Sequence, residues 1–265
     1  MSAAMNGSTM NGGTTGAAGR TVRLIVKRQD APGAASRVEE FVVPWEPHMN
    51  VLSGLMAIQR NPVTADGKAT TPVVWDSNCL EEVCGACTMV INGRVRQGCS
   101  ALVDKLEQPI RLEPMTKFPV VRDLAVDRQR VFEDFKRVHA WIDIDGTHDL
   151  GPGPRYSQEK ADMRYALSRC MACGCCLEAC PNYGPQSDFV GAAVISQARL
   201  FNLHPTGAAE ADERIQALQE PGGIGGCGLA QNCVQVCPKE IPLTTSIADM
   251  MRESTRYSLR SLFRR

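Results

Sequence analysis

Twelve cysteines against four histidines constrain this 265-residue chain more than any other feature. They fall in three groups: Cys79, Cys84, Cys87 and Cys99; Cys170, Cys173, Cys175, Cys176 and Cys180; Cys227, Cys233 and Cys237. No apolar leader segment follows the N-terminus, so a reducing compartment is expected, where thiols stay reduced and six disulfides do not form. Scattered buried thiols would behave as small hydrophobes, but short-range clustering marks shared ligands. Zinc also takes four thiolates, yet its sites commonly pair one C-x2-C with a distant second one. None of the three groups reads that way.

The first group, C-x4-C-x2-C followed by eleven residues and Cys99, has the plant-type ferredoxin spacing. A [2Fe-2S] rhomb needs four thiolates, three of which a tight loop can supply and the fourth a more distant turn. Gly85 tolerates the positive φ that lets such a loop close around a cluster. Backbone N–H groups in such loops face the sulfurs and offset their charge.

Cys170-x2-Cys173-x2-Cys176-x3-Cys180-Pro181 is the bacterial ferredoxin run, whose fourth cysteine serves the other cluster in two-cluster proteins. The third group, Cys227-x2-Ala230-x2-Cys233-x3-Cys237-Pro238, fits the same template except at Ala230. By the crossover rule Cys170, Cys173, Cys176 and Cys237 hold a [4Fe-4S] cluster. Cys180, Cys227 and Cys233 hold a second with one ligand missing. Alanine cannot bind iron, so that site is expected to be [3Fe-4S]. Cys175 is left over and reads as a buried thiol beside the clusters or as a spare ligand. Pro181 and Pro238 stop each run from winding on.

Lysine plus arginine equals aspartate plus glutamate, 29 each, and aromatics make up 5%. Neither a basic nucleic-acid face nor a base-stacking platform is implied. No apolar run approaches the ~18 residues of a membrane span. A soluble or peripheral protein is the expectation. There is no dinucleotide glycine fingerprint, P-loop or nucleophile elbow. His48, His139, His148 and His204 are scattered. No catalytic residue is expected in the chain itself, whose task is to carry electrons one at a time.

Along the chain, residues 1–20 carry nothing that could build a core and read as a disordered tail. Residues 21–28 and 39–43 read as paired strands around the Ala31-Pro32-Gly33 loop. Asn50 is placed to cap a helix with Val51, Leu52, Leu55 and Met56 on one face. Thr88–Ile91 before Asn92-Gly93 reads as a strand and tight turn, and Ile110–Leu112 as another short strand. Leu124, Val131, Phe135, Val138 and Ile142 recur at helical spacing, as do Val190, Val194, Ile195, Ala198 and Phe201. Residues 143–154 form a Gly/Pro-rich connector. The expected units are therefore 21–116, with strands and the first cluster, and 117–265, made of helices and cysteine loops. Five arginines and one glutamate from Arg252 to Arg265 point either to contact with anionic lipid heads or an anchor subunit, or to a solvated tail.

The motifs S-N-C-L-E-E-V-C-G-A-C, C-M-A-C-G-C-C-L-E-A-C-P and N-C-V-Q-V-C-P-K resemble those of the iron–sulfur subunits of succinate dehydrogenase and fumarate reductase. The resemblance covers residues 21 to about 250. It implies an α+β chain: an N-terminal β-grasp [2Fe-2S] domain and a C-terminal all-α two-cluster domain. It further implies a flavoprotein partner with FAD, a membrane anchor often carrying haem b, and electron flow from flavin through [2Fe-2S], [4Fe-4S] and [3Fe-4S] to quinone. The place would be peripheral, on the cytoplasmic face of a bacterial membrane. Ubiquinone-reducing members carry tryptophans where this chain has Gly184 and Pro185, and a histidine where it has Gly228; only Pro181 matches as a quinone contact. C-P-N-Y-G-P is closer to menaquinone-using members, so menaquinone is expected. The alternatives are a fumarate reductase running in reverse and a free ferredoxin-type carrier.

Overall fold

The computed structural model describes residues 19–143 and 155–263. The proposed N-terminal tail up to residue 18, most of the 143–154 connector with His148, and Arg264 and Arg265 lie outside the described residues.

Alternation in TVRLIVKR puts Val22, Leu24 and Val26 on one face of β1 (Thr21–Arg28), all fully buried. β1 pairs antiparallel with β2 (Arg37–Pro44), register Leu24 to Phe41. α1 (Val51–Arg60) starts where Asn50 accepts from the Ser53 amide and the Ser53 hydroxyl returns toward the Asn50 amide, a reciprocal cap. It buries Val51, Leu52, Leu55 and Ile58, while Met56, expected on that face, is only half-buried. β3 (Thr88–Ile91) turns through Asn92-Gly93, both at positive φ, into β4 (Arg94–Gln97). β5 (Ile110–Glu113) runs parallel to β1, completing a sheet of order β2-β1-β5-β3-β4. This is the β-grasp arrangement expected of the N-terminal half.

Arg28 continues the inward face of β1 and is wholly buried. Its Nε donates to Asp123 Oδ1 (2.9 Å), its Nη1 to Glu39 Oε2 (2.5 Å) and its Nη2 to the Thr71 carbonyl (3.1 Å). Asp123, also wholly buried, accepts from the Gln29 and Val74 amides as well. The network satisfies both charges and pins β1 to two loops.

The second half departs from the all-helical expectation at its start. Leu124 sits in a short hairpin, β6 (Val120–Arg122) with β7 (Ala125–Val126), turned by Asp123 at φ 47°. Leu124 packs into the first core, and the helix begins only at α2 (Gln129–Arg137), whose Val131 joins the second. Then follow α3 (Gln158–Ser168), α4 (Cys175–Glu178), α5 (Ala192–Leu203), α6 (Ala211–Gln219), α7 (Asn232–Val236) and α8 (Leu243–Phe263). α5 is central, with Val194, Ile195 and Ala198 fully buried against neighbours that include α3 and α8. The supposed basic tail is the outer half of α8, and three of its arginines are paired: Arg252 with Asp249, Arg256 with Glu253 and Arg260 with Asp212. Among the described residues, no helix is long and apolar enough to cross a membrane.

Candidate metal-cluster sites

All twelve cysteines are free thiols. The first four gather at one end of the sheet. Cys87 leads directly into β3 and Cys99 follows β4, so the antiparallel pair fixes two corners of the site. The loop between Cys79 and Cys87 coils through Leu80 (φ 60°), Glu82 (φ 56°) and Gly85 (φ 72°). That left-handed winding turns amides inward. Cys79 Sγ accepts from the amides of Glu81 (3.4 Å), Val83 (3.3 Å) and Cys84 (3.3 Å). Cys99 Sγ accepts from Glu82 (3.3 Å), and Cys84 Sγ from Ala86 (3.4 Å). These amides pull the Cys79 thiol down to about 7, whereas burial pushes Cys99 up to about 12. Four thiols, two half-buried and two buried, ringed by N–H donors, form a donor set suited to an anionic iron–sulfur rhomb.

In the helical half, two short helices exchange cysteines. Cys176 lies within α4 and Cys180 follows it; Cys233 lies within α7 and Cys237 follows that. α4 and α7 pack together. Cys170, Cys173, Cys176 and Cys237 all line one cavity, closed by Ala193 and Ile241. Cys180, Cys227 and Cys233 line another, closed by Phe189 and Ile247, and Ala230 borders it. Ala192 and Ala193, neighbours at the start of α5, each touch one cavity, where small side chains leave room. The Cys237 Sγ accepts from the Ile241 amide at 3.4 Å. Burial pushes Cys170 up to about 11 and pushes Cys176 and Cys233 up as well. Iron bound by these thiols would displace their protons, so cluster binding would couple to folding.

Cys175 is fully buried. It lines the first of these two cavities and touches Cys173, whose thiol its hydrogen bond draws down to about 7. Pro181 and Gly228 border the second cavity. A side chain at Gly228 would start 2.7 Å from Asn182 Oδ1. Gly184 has open space around it.

The two cluster loops touch. A Cβ on Gly85 would lie 2.7 Å from Cys173 Cβ and 2.9 Å from its Cα. Arg128 Nη1 donates to the Gly85 carbonyl (2.7 Å) and, more weakly, to that of Cys173 (3.4 Å). Glu178 caps the Thr116 amide (2.9 Å) and hydroxyl (2.6 Å), and Lys117 Nζ donates to the Cys180 carbonyl. Sequence reasoning missed Arg128, Lys117 and Glu178, single charged residues with no motif around them.

Comparison with known proteins agrees with this geometry. The model of the 2Fe-2S iron-sulfur cluster binding domain matches residues 23–133, and that of the 4Fe-4S dicluster domain matches residues 166–241. The chain is 58% identical over 244 residues to the succinate dehydrogenase iron-sulfur subunit of Bacillus subtilis, covering 92% of this chain and 96% of that one. It is 31% identical to the fumarate reductase iron-sulfur subunit of Wolinella succinogenes, over 89% of this chain and 98% of that one. In fold it is similar to a chain of the Mycobacterium smegmatis Sdh1 complex in the apo form (TM-score 0.75, 24% identity), covering 89% of this chain and 96% of that one.

Proposed function

The chain belongs to the family of succinate dehydrogenase and fumarate reductase iron–sulfur subunits, and from that premise we propose which residues hold each cluster and what lies at either end of the path. Its function is that of the electron-transferring subunit of succinate dehydrogenase, an oxidoreductase of the tricarboxylic acid cycle and electron transport. When bound, the clusters supply one-electron steps between flavin and quinone.

Cys79, Cys84, Cys87 and Cys99 hold [2Fe-2S]. Cys170, Cys173, Cys176 and Cys237 hold [4Fe-4S]. Cys180, Cys227 and Cys233 hold [3Fe-4S], because Ala230 offers no thiolate at the fourth corner. The observation that carries the assignment is the exchange between α4 and α7, which lines each cavity with cysteines from both runs. The division between the two units lies near residue 117, with residues 115–126 as the seam. Met115 and Phe118 pack in the second core and Leu124 in the first.

The protein's own work is to space the sites, exclude water and set their charge. A flavoprotein with FAD docks beside the half-buried Cys79 and Cys84, where Leu80 and Val83 are exposed. A membrane anchor carrying haem b covers the second helical-domain cavity, where Leu229 and Val234 are exposed. The complex sits peripherally on the cytoplasmic face. Menaquinone is the acceptor: Pro181 borders the three-cysteine cavity, but Gly184, Pro185 and Gly228 replace the aromatic and histidine contacts of ubiquinone-reducing relatives. Higher identity to a succinate dehydrogenase than to a fumarate reductase favours succinate oxidation.

Potentiometric paramagnetic resonance of the membrane complex tests this reading. Three distinct centres, one of each type, are expected. Two [4Fe-4S] centres would overturn the ligand assignment, and turnover with ubiquinone analogues alone would overturn the choice of quinone.

A further inference from the structure

Gln97 ends β4 wholly buried, and its amide lies between two sulfurs from different cluster loops. Its Oε1 is 3.7 Å from Cys87 Sγ and its Nε2 is 3.4 Å from Cys175 Sγ. Thr88 Oγ1 touches both ends, 2.9 Å from Nε2 and 3.2 Å from Oε1. The Thr88 hydroxyl in turn reaches the Gly85 carbonyl at 2.8 Å. A buried polar side chain spanning two domains is costly unless every group on it is satisfied.

The two ends of an amide are the same size, so this network closes either way round, and whether Cys87 is a free thiol or an iron ligand decides which. A protonated Cys87 donates to Oε1. A Cys87 that ligates iron has no proton, and a carbonyl oxygen facing an anionic sulfur is repelled. Rotating the amide by half a turn puts Nε2 on Cys87 Sγ. Oε1 then accepts from the Thr88 hydroxyl and from the Cys175 S–H, whose single proton turns to it from Cys173. The Gly85 carbonyl keeps its bond from Arg128 Nη1 at 2.7 Å.

We propose that Gln97 is a positioning residue for electron transfer. Its amide donates to Cys87 Sγ, raises the reduction potential of the first cluster, and is held in that orientation by Thr88 and by the Cys175 thiol of the next domain. Reduction adds one electron to the cluster and increases the negative charge on its thiolate sulfurs. An N–H donor therefore stabilises the reduced form more than the oxidised form. Cys175, not needed as a ligand, gains a role as the far clamp of this amide. The inference rests on Cys87 being a ligand.

The test uses the assembled membrane complex and the paramagnetic signal of the reduced [2Fe-2S] centre. Gln97→Leu, close in volume, is expected to lower the ratio of reduced to oxidised cluster about tenfold at a fixed potential, a downward shift of about 59 mV for a one-electron couple. The [3Fe-4S] centre, whose cavity Gln97 does not touch, should not move. With glutamine side-chain amides labelled with 15N, pulsed paramagnetic resonance of the unsubstituted protein should detect a nitrogen coupled to the [2Fe-2S] centre. That measurement stands even if Gln97→Leu fails to assemble. No glutamine coupling, or an unmoved potential in Gln97→Leu, overturns the proposal. A [2Fe-2S] spectrum unaltered by Cys87→Ser would instead overturn the ligand assignment, and the inference with it.

Discussion

Gly85→Ala should damage this protein through the contact between its two cluster loops. At φ 72° an alanine sits in the left-handed region, which costs ~1–2 kcal/mol. Its Cβ would also meet Cys173 Cβ at 2.7 Å, Cys173 Cα at 2.9 Å and the Met171 carbonyl oxygen at 3.1 Å. Carbon atoms prefer about 3.5–4.0 Å, so the loops must separate by roughly 1 Å. The neighbours are backbone or bound close to it and cannot swing aside, so overpacking adds ~1–3 kcal/mol. Gly67→Ala isolates the first cost, since Gly67 has φ 82° and nothing within 4 Å of a Cβ. The assay is the rate at which iron–sulfur absorption bleaches in urea, because loss of clusters makes unfolding irreversible. Gly85→Ala should lose its clusters faster than Gly67→Ala by about 5- to 150-fold, the equivalent of ~1–3 kcal/mol. Equal rates in the two variants would refute the claim that this contact is tight.

Other perturbations have equally definite outcomes. Ala230→Cys supplies a thiol at the edge of the three-cysteine cavity and should convert its cluster to [4Fe-4S], read by loss of the [3Fe-4S] signal in the oxidised protein; persistence of that signal counts against the site. Asp123→Ala leaves the buried Arg28 guanidinium without its innermost partner and should cost ~3–5 kcal/mol in urea unfolding; a loss near zero would mean that water or Glu39 compensates fully. Asp134 is held up at about 6 by burial, its Oδ2 without a hydrogen-bond partner among the described residues and Arg130 Nε 3.6 Å away. Its folded state binds the proton more tightly than the unfolded state, so stability falls as pH rises from about 4 through 6 and levels off above. Asp134→Asn should therefore stabilise by about 2 kcal/mol at pH 8 and by less at pH 5, and a gain independent of pH would contradict the assignment.

The 2Fe-2S and 4Fe-4S dicluster domains were legible because ligand chemistry is local. Each cysteine run declares its geometry through spacing alone, and a gap such as Ala230 stands out against the template. The β1 and β2 strands were legible through alternation, and α1 through Asn50. The hairpin at 120–126 was not. Leu124 falls in phase with Val131 and Val138, but the chain reverses at Asp123, which is held by Arg28 some ninety residues earlier, an interaction no periodicity reports. The charge count at the C-terminus left the form of that segment open for a related reason. Leu243, Ile247 and Met250 already mark a helical stripe, and Arg252, Arg256 and Arg260 pair with acids on their own helix and on α6. Gln97 and Arg128 were invisible because their meaning arises only where the two halves meet, Gln97 reaching a sulfur 78 residues away.

Mössbauer spectroscopy of the intact complex, grown on 57Fe, tests the assignment of eleven thiolates to three unequal sites most directly. The account predicts about a third of this subunit's cluster iron in a three-iron centre, with the remainder divided between two-iron and four-iron centres. Finding all the iron of the helical half in two four-iron centres, or no two-iron component at all, would contradict it.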